Sequence, residues 1–104
     1  MRKTVYVAHA FQNKQENKED VEQIILDLIE EYPDYVFYSP IHATGFYYDK
    51  KPWLEGMMDC LELLSRCDEL WLCKNFEQSK GCCVELGFAI GRNMPIEYIV
   101  DEVV

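Results

Sequence analysis

Apolar and polar positions alternate along this chain in two distinct rhythms. Val5-Tyr6-Val7-Ala8 and Leu70-Trp71-Leu72-Cys73 are short, nearly continuous apolar runs rich in β-branched and aromatic residues. Such runs predict strands buried on both faces, as in a parallel sheet. Between them, residues 17–31 place Val21, Ile24, Ile25, Leu28 and Ile29 at the i, i+3, i+4, i+7, i+8 spacing of a surface helix with an acidic outer face. Tyr32-Pro33 ends that helix, because proline disfavours helical geometry in the residue before it.

A second strand is expected at Tyr35-Val36-Phe37-Tyr38-Ser39, stopped by Pro40, with a long loop over 41–51 that reads as a wall or lid over a site. A second helix follows from Pro52 to about Cys67, with Trp53, Leu54, Met57, Met58, Leu61 and Leu64 as its expected buried stripe. The third strand lies at 69–73 and a turn at 74–80. A third helix runs from about Gly81 to Gly91, and a fourth, edge strand covers 94–99. The β-α-β-α-β-α-β order predicts a three-layer α/β domain of the Rossmann/flavodoxin-like kind. Its four-stranded, mainly parallel sheet has the expected order 2-1-3-4, with helices on both faces. In such a sheet a ligand sits at the carboxyl ends of the strands, near the switch point between strands 1 and 3. The loops starting at His9, Ser39 and Lys74 meet there.

Composition narrows this picture. The 104 residues make one domain spanning 1–104, with a single core. A net charge of -9 argues against a nucleic-acid partner, since little would neutralise phosphates. No run approaches the ~18 apolar residues of a membrane span. The amino terminus enters a strand too early for a signal peptide, so a cytoplasmic protein is expected. Five cysteines without a C-x-x-C pair suggest reduced thiols, and neither His9 nor His42 has ligand-like spacing to them, so no metal and no cofactor is expected.

One carboxylate breaks the apolar pattern. Glu85 lies early in the third helix among Val84, Leu86, Phe88 and Ala89. Desolvation would raise its pKa, whereas the helix N-terminus would keep it ionised; either setting suits a nucleophile or acid/base, and a solvated glutamate is the plain alternative. Ser79 and Gly81 precede that helix, as an N-cap or as an anion-facing entry with free backbone N–H groups. Asp59 faces water or tunes Glu85 from the second helix. Tyr6 carries a phenol that needs a partner in so apolar a strand. His9 and His42 end strands 1 and 2 and are candidates for ligand contact. Cys82 and Cys83 read as packing residues.

These segments carry a resemblance. Val5-Tyr6-Val7-Ala8, Tyr38-Ser39-Pro40-Ile41, Cys67-Asp68-Glu69-Leu70-Trp71-Leu72, Pro95-Ile96 and above all Ser79-x-Gly81-x-x-x-Glu85-Leu86-Gly87-x-Ala89 make nearly the whole chain similar to the nucleoside 2-deoxyribosyltransferase superfamily, including its deoxynucleoside-monophosphate N-glycosidase branch. The resemblance implies that Glu85 is the nucleophile attacking the anomeric carbon of a 2-deoxyribose and that Asp59 is the helper acid. It further implies that Tyr6 contacts the site and that Ser79 binds a 5′-phosphate. The implied partners are a small nucleoside or nucleotide and further copies of the chain in a homodimer or higher homo-oligomer. Where that family has a glycine-containing loop after strand 1, this chain has His9-Ala10-Phe11-Gln12.

Overall fold

A computed structural model of the chain describes residues 1–99. Its sheet contains β1 (Thr4–Ala8), β2 (Val36–Tyr38), β3 (Glu69–Leu72) and β4 (Ile96–Tyr98). All neighbours are parallel, as the alternation of runs predicts, and the order is β2-β1-β3-β4, the one expected. The helices are α1 (Gln15–Glu31), α2 (Pro40–Thr44), α3 (Trp53–Ser65) and α4 (Lys80–Gly91). Register sets Tyr6 beside Tyr38 and Leu70, and Ala8 beside Leu72.

After their first residues, Thr4 and Glu69, the central strands are buried on both sides because each face has its own core. Alternate residues of a strand point to opposite faces. Val5 and Val7 of β1, with Trp71 and Cys73, therefore pack with Val21 and Leu28 of α1. Tyr6 and Ala8, with Leu70 and Leu72, pack with Leu64 of α3 and with Cys82 and Ala89 of α4. Each fully buried valine or leucine contributes about 1.5–3 kcal/mol. β2 and β4 lie at the edges and are only partly covered.

Three expectations need correction. The segment 41–51 is not an irregular loop: Ser39 caps α2, accepting from the His42 amide at 3.3 Å, and Pro40 occupies its first turn. The proline taken as a strand stop is thus also a helix start, since its fixed φ suits a first turn. Two short 3₁₀ turns over Gly45–Lys50, kinked at Tyr47, continue it. The buried stripe of α3 falls on Met57 and Leu64, with Cys60 and Leu61 packed against the core, while Trp53, Leu54 and Met58 are exposed. On α1, Ile29 is exposed. In both cases the apolar periodicity is wider than the face the sheet covers. Among the described residues no helix is long and apolar enough to cross a membrane.

Candidate functional site

The carboxyl ends of the strands border a cavity of about 430 Å³. The segment after β1 contributes His9, Phe11 and Gln12 to it, and the segment after β2 contributes Tyr47, Tyr48, Asp49 and Lys51. Trp53, Met57 and Cys60 come from α3, and Ser79, Lys80, Gly81, Cys82 and Glu85 from the start of α4.

Glu85 reaches this cavity because of helical spacing. Cys82, Glu85 and Ala89 are the buried residues of α4, three and four apart, so the carboxylate sits on the stripe that faces the sheet. It is 5 % exposed. The Tyr6 hydroxyl, wholly buried on β1, donates a hydrogen bond to its Oε2. Burial pushes the Glu85 carboxyl up to about 7, and the bond from Tyr6 offsets only part of that. Glu85 is the sixth residue of α4, beyond the first turn in which the helix dipole acts strongly, so desolvation wins over the dipole. Burial, followed by the neighbouring Glu85 charge, also holds the Tyr6 phenol well above its usual value, so it remains a donor.

The thiols around Glu85 are held protonated. Burial raises Cys60, and burial together with Glu85 pushes Cys82 up to about 12. Cys82 is therefore a core residue rather than a nucleophile. All five cysteines are free, and among the described residues no group of three or more His, Cys, Asp or Glu is placed to hold a metal ion.

Ser79 is the N-cap of α4, its Oγ accepting from the Cys82 amide at 3.2 Å. The Lys80 and Gly81 amides belong to the first turn, where α-helical N–H groups lack an intrahelical acceptor. A methyl group added at Gly81 would stand 3.4 Å from Met57 Sδ, in ordinary contact, and would take up space at the cavity wall. Lys80 Nζ lies 4.3 Å from the centroid of the Trp53 ring, which puts a cation at the same wall.

The other residues singled out from sequence are placed differently. His9 lines the cavity, its ring nitrogens 2.7 Å from the Ala10 carbonyl and 2.6 Å from Asp20. His42 does not line it: its ring pairs with Ser39 Oγ and with Glu22 of α1, both at 2.8 Å, because α2 turns that side chain toward α1. Asp59 also stays outside the lining. Its Oδ2 accepts from Lys51 Nζ at 2.7 Å and from the Tyr47 hydroxyl at 3.0 Å. Those bonds, the lysine's first, hold its carboxyl below the usual range. Tyr6 stands behind Glu85 rather than in the wall.

The segment 41–51, read from sequence as a wall or lid, does line the cavity; what sequence reasoning missed is which of its residues face it and what holds them. Tyr48 is held by Phe11, whose ring meets it edge-on at 5.3 Å, and Asp49 by Asn13, which donates to it at 2.8 Å. Gly45 permits the close approach: a methyl there would stand 3.1 Å from the Phe11 ring. The aromatic cluster Phe46-Tyr47-Tyr48 was a visible signal for a wall, although its partner at Phe11 was not.

A family model described as a domain of unknown function (DUF4406) matches residues 3–98, and the chain belongs to that family. No curated protein matches the sequence.

Proposed function

We propose that this member of the DUF4406 family cleaves or transfers the N-glycosidic bond of a deoxynucleoside or deoxynucleotide, with Glu85 as nucleophile. The observation that carries this reading is a carboxylate buried at a cavity wall, hydrogen-bonded by Tyr6 and with a pKa of about 7, beside the first turn of α4. Desolvation makes such a carboxylate a better nucleophile once it is ionised, and at neutral pH a large fraction is.

In the first step a Glu85 oxygen bonds to C1′ as the C1′–N bond breaks, and the base leaves with that bond's electron pair and takes up a proton. In the second, water or another base attacks C1′ and restores the carboxylate. With water the products are free base and a 2-deoxyribose or its 5-phosphate. The 5′-phosphate fits the cationic side of the cavity, where Lys80 and the Gly81 amide stand beside Ser79. Phe11, Tyr47, Tyr48 and Trp53 supply aromatic wall for the base. Completion of the site by a second copy of the chain, in a homo-oligomer, belongs to the same reading.

The direct test is incubation with the four deoxynucleoside 5′-monophosphates and their nucleosides, followed by chromatography for free base. Release that depends on Glu85 is expected. A folded protein that releases none rules the reaction out. One observation favours a second reading, in which the domain binds a nucleotide or sugar phosphate without turnover: the acid expected to assist, Asp59, is engaged by Lys51 and Tyr47. Saturable binding with unchanged ligand, in wild type and E85Q alike, is its signature.

A further inference from the structure

We propose that Asp59 is a positioning residue that clasps Tyr47 and Lys51 and so holds the segment 45–51 closed as the wall of the cavity, setting ligand affinity without taking part in proton transfer. This rests on the reading of the cavity as a nucleotide site and changes the role of one residue in it.

The argument begins with connectivity. The segment 45–51 carries five of the lining residues, Gly45, Tyr47, Tyr48, Asp49 and Lys51, yet none of its own residues is buried. A stretch without a buried side chain has little hydrophobic hold of its own, so the bonds its side chains make decide whether it stays in place. In its middle, the Phe11 ring packs against Tyr48 and Asn13 donates to Asp49. On either side of these, Asp59 Oδ2 receives both the Lys51 ammonium and the Tyr47 hydroxyl, and Lys51 Nζ also lies 5.4 Å from the centroid of the Tyr47 ring. One carboxylate oxygen thereby ties together two wall residues and anchors them to α3.

The same bonds make Asp59 a poor proton donor. A general acid near neutral pH needs a raised pKa, and both partners of Asp59 stabilise its ionised form. Its side chain is 31 % exposed and that of Lys51 is 44 % exposed, so the clasp is a partly solvated pair and its loss weakens the wall without unfolding the core.

The test uses Asp59→Ala and Asp59→Asn. A single amide oxygen accepts both donors as the carboxylate oxygen does, so Asn is expected to keep most of the clasp. Hydrogen exchange of the 45–51 amides, measured without ligand, should speed up in D59A and stay near wild type in D59N. For the best of the four deoxynucleoside monophosphates, D59A should raise KM about two- to five-fold with kcat within about two-fold, the size expected when a partly exposed hydrogen-bonded clasp is lost. D59N should restore KM. A fall in kcat of about 100-fold in D59N at unchanged KM would mean that Asp59 is the acid and would overturn the proposal. Unchanged exchange at 45–51 in D59A would overturn it as well. Should D59A fail to fold, Lys51→Ala opens the same clasp from the other side and must reproduce its exchange. If wild type releases no base, the glycosidase reading fails alone, and the exchange measurement still decides the clasp.

Discussion

The two ends of the sheet treat carboxylates in opposite ways. At the amino end, Asp68 accepts from the Thr4 amide at 2.8 Å and from the Thr4 hydroxyl at 3.2 Å, and those bonds hold its carboxyl below the usual range. Beside it, burial alone would raise Glu69, but bonds from Lys3 and the Trp71 indole outweigh it and keep Glu69 low. At the carboxyl end, Glu85 has one neutral donor, Tyr6, and burial raises it to about 7. The first pair is satisfied and fastens strands together. Glu85 is left under-compensated, bordering an open volume, and that is the condition under which a carboxylate can do chemistry.

Removing the carboxylate should break the contrast most severely. Glu85→Gln keeps the shape and an acceptor for Tyr6, and should reduce base release by a factor of about 10³ or more, measured as kcat/KM. In wild type the ionised carboxylate is the active form, so kcat/KM should climb as pH rises through about 7 and level off above it.

Stability should move the other way. In the unfolded chain Glu85 ionises near its ordinary 4.5, and in the folded protein near 7. Below pH 4.5 both states are protonated and nothing is lost. As pH rises from 4.5 to 7 the unfolded state gives up its proton while the folded state retains it, so folding stability falls by about 3 kcal/mol and stays lower above that. Denaturant unfolding of wild type and E85Q across this range should show the difference between them growing over that window; a constant difference would count against the burial argument.

Tyr6→Phe sharpens the comparison with a smaller change. It removes the single bond that lowers the Glu85 pKa, so the rising limb of kcat/KM should shift to higher pH, with a stability loss of about 1–2 kcal/mol at pH 8 from an unpartnered buried carboxylate. The smallest effect belongs to the amino end. Asp68→Ala should lower Tm slightly and leave base release and its pH profile unchanged. Because the folded pKa of Asp68 is depressed, the stability it contributes should be present at neutral pH and lost as pH falls through that lowered value.

The fold was legible because its signals are local. Two unbroken apolar runs, an i, i+3, i+4 stripe and a proline after a helix imply buried parallel strands and crossover helices before any contact is known; the strand order 2-1-3-4 is only one guess among the topologies these rules allow, and the structure has it. Segment 41–51 was misread because Pro40 stops a strand and starts a helix with the same fixed φ, and only Ser39 bonding the His42 amide decides between them.

Sequence by itself determined the sheet, the burial of β1 and β3 on both faces, and the presence of one acidic residue in an apolar helical stripe beside a glycine and a serine. Tertiary structure decided what that residue meets. Tyr6 and Glu85 are 79 positions apart, and only the β1 register, with α4 packed on that face of the sheet, joins hydroxyl to carboxylate. It also decided that Asp59 turns to Lys51 and Tyr47, that His42 turns to Glu22, and that Phe11 and Asn13 hold the cavity wall. Periodicity fixes the face on which a side chain lies. Its charge partner, and with it its pKa and its chemistry, is set by whichever element the fold brings against that face.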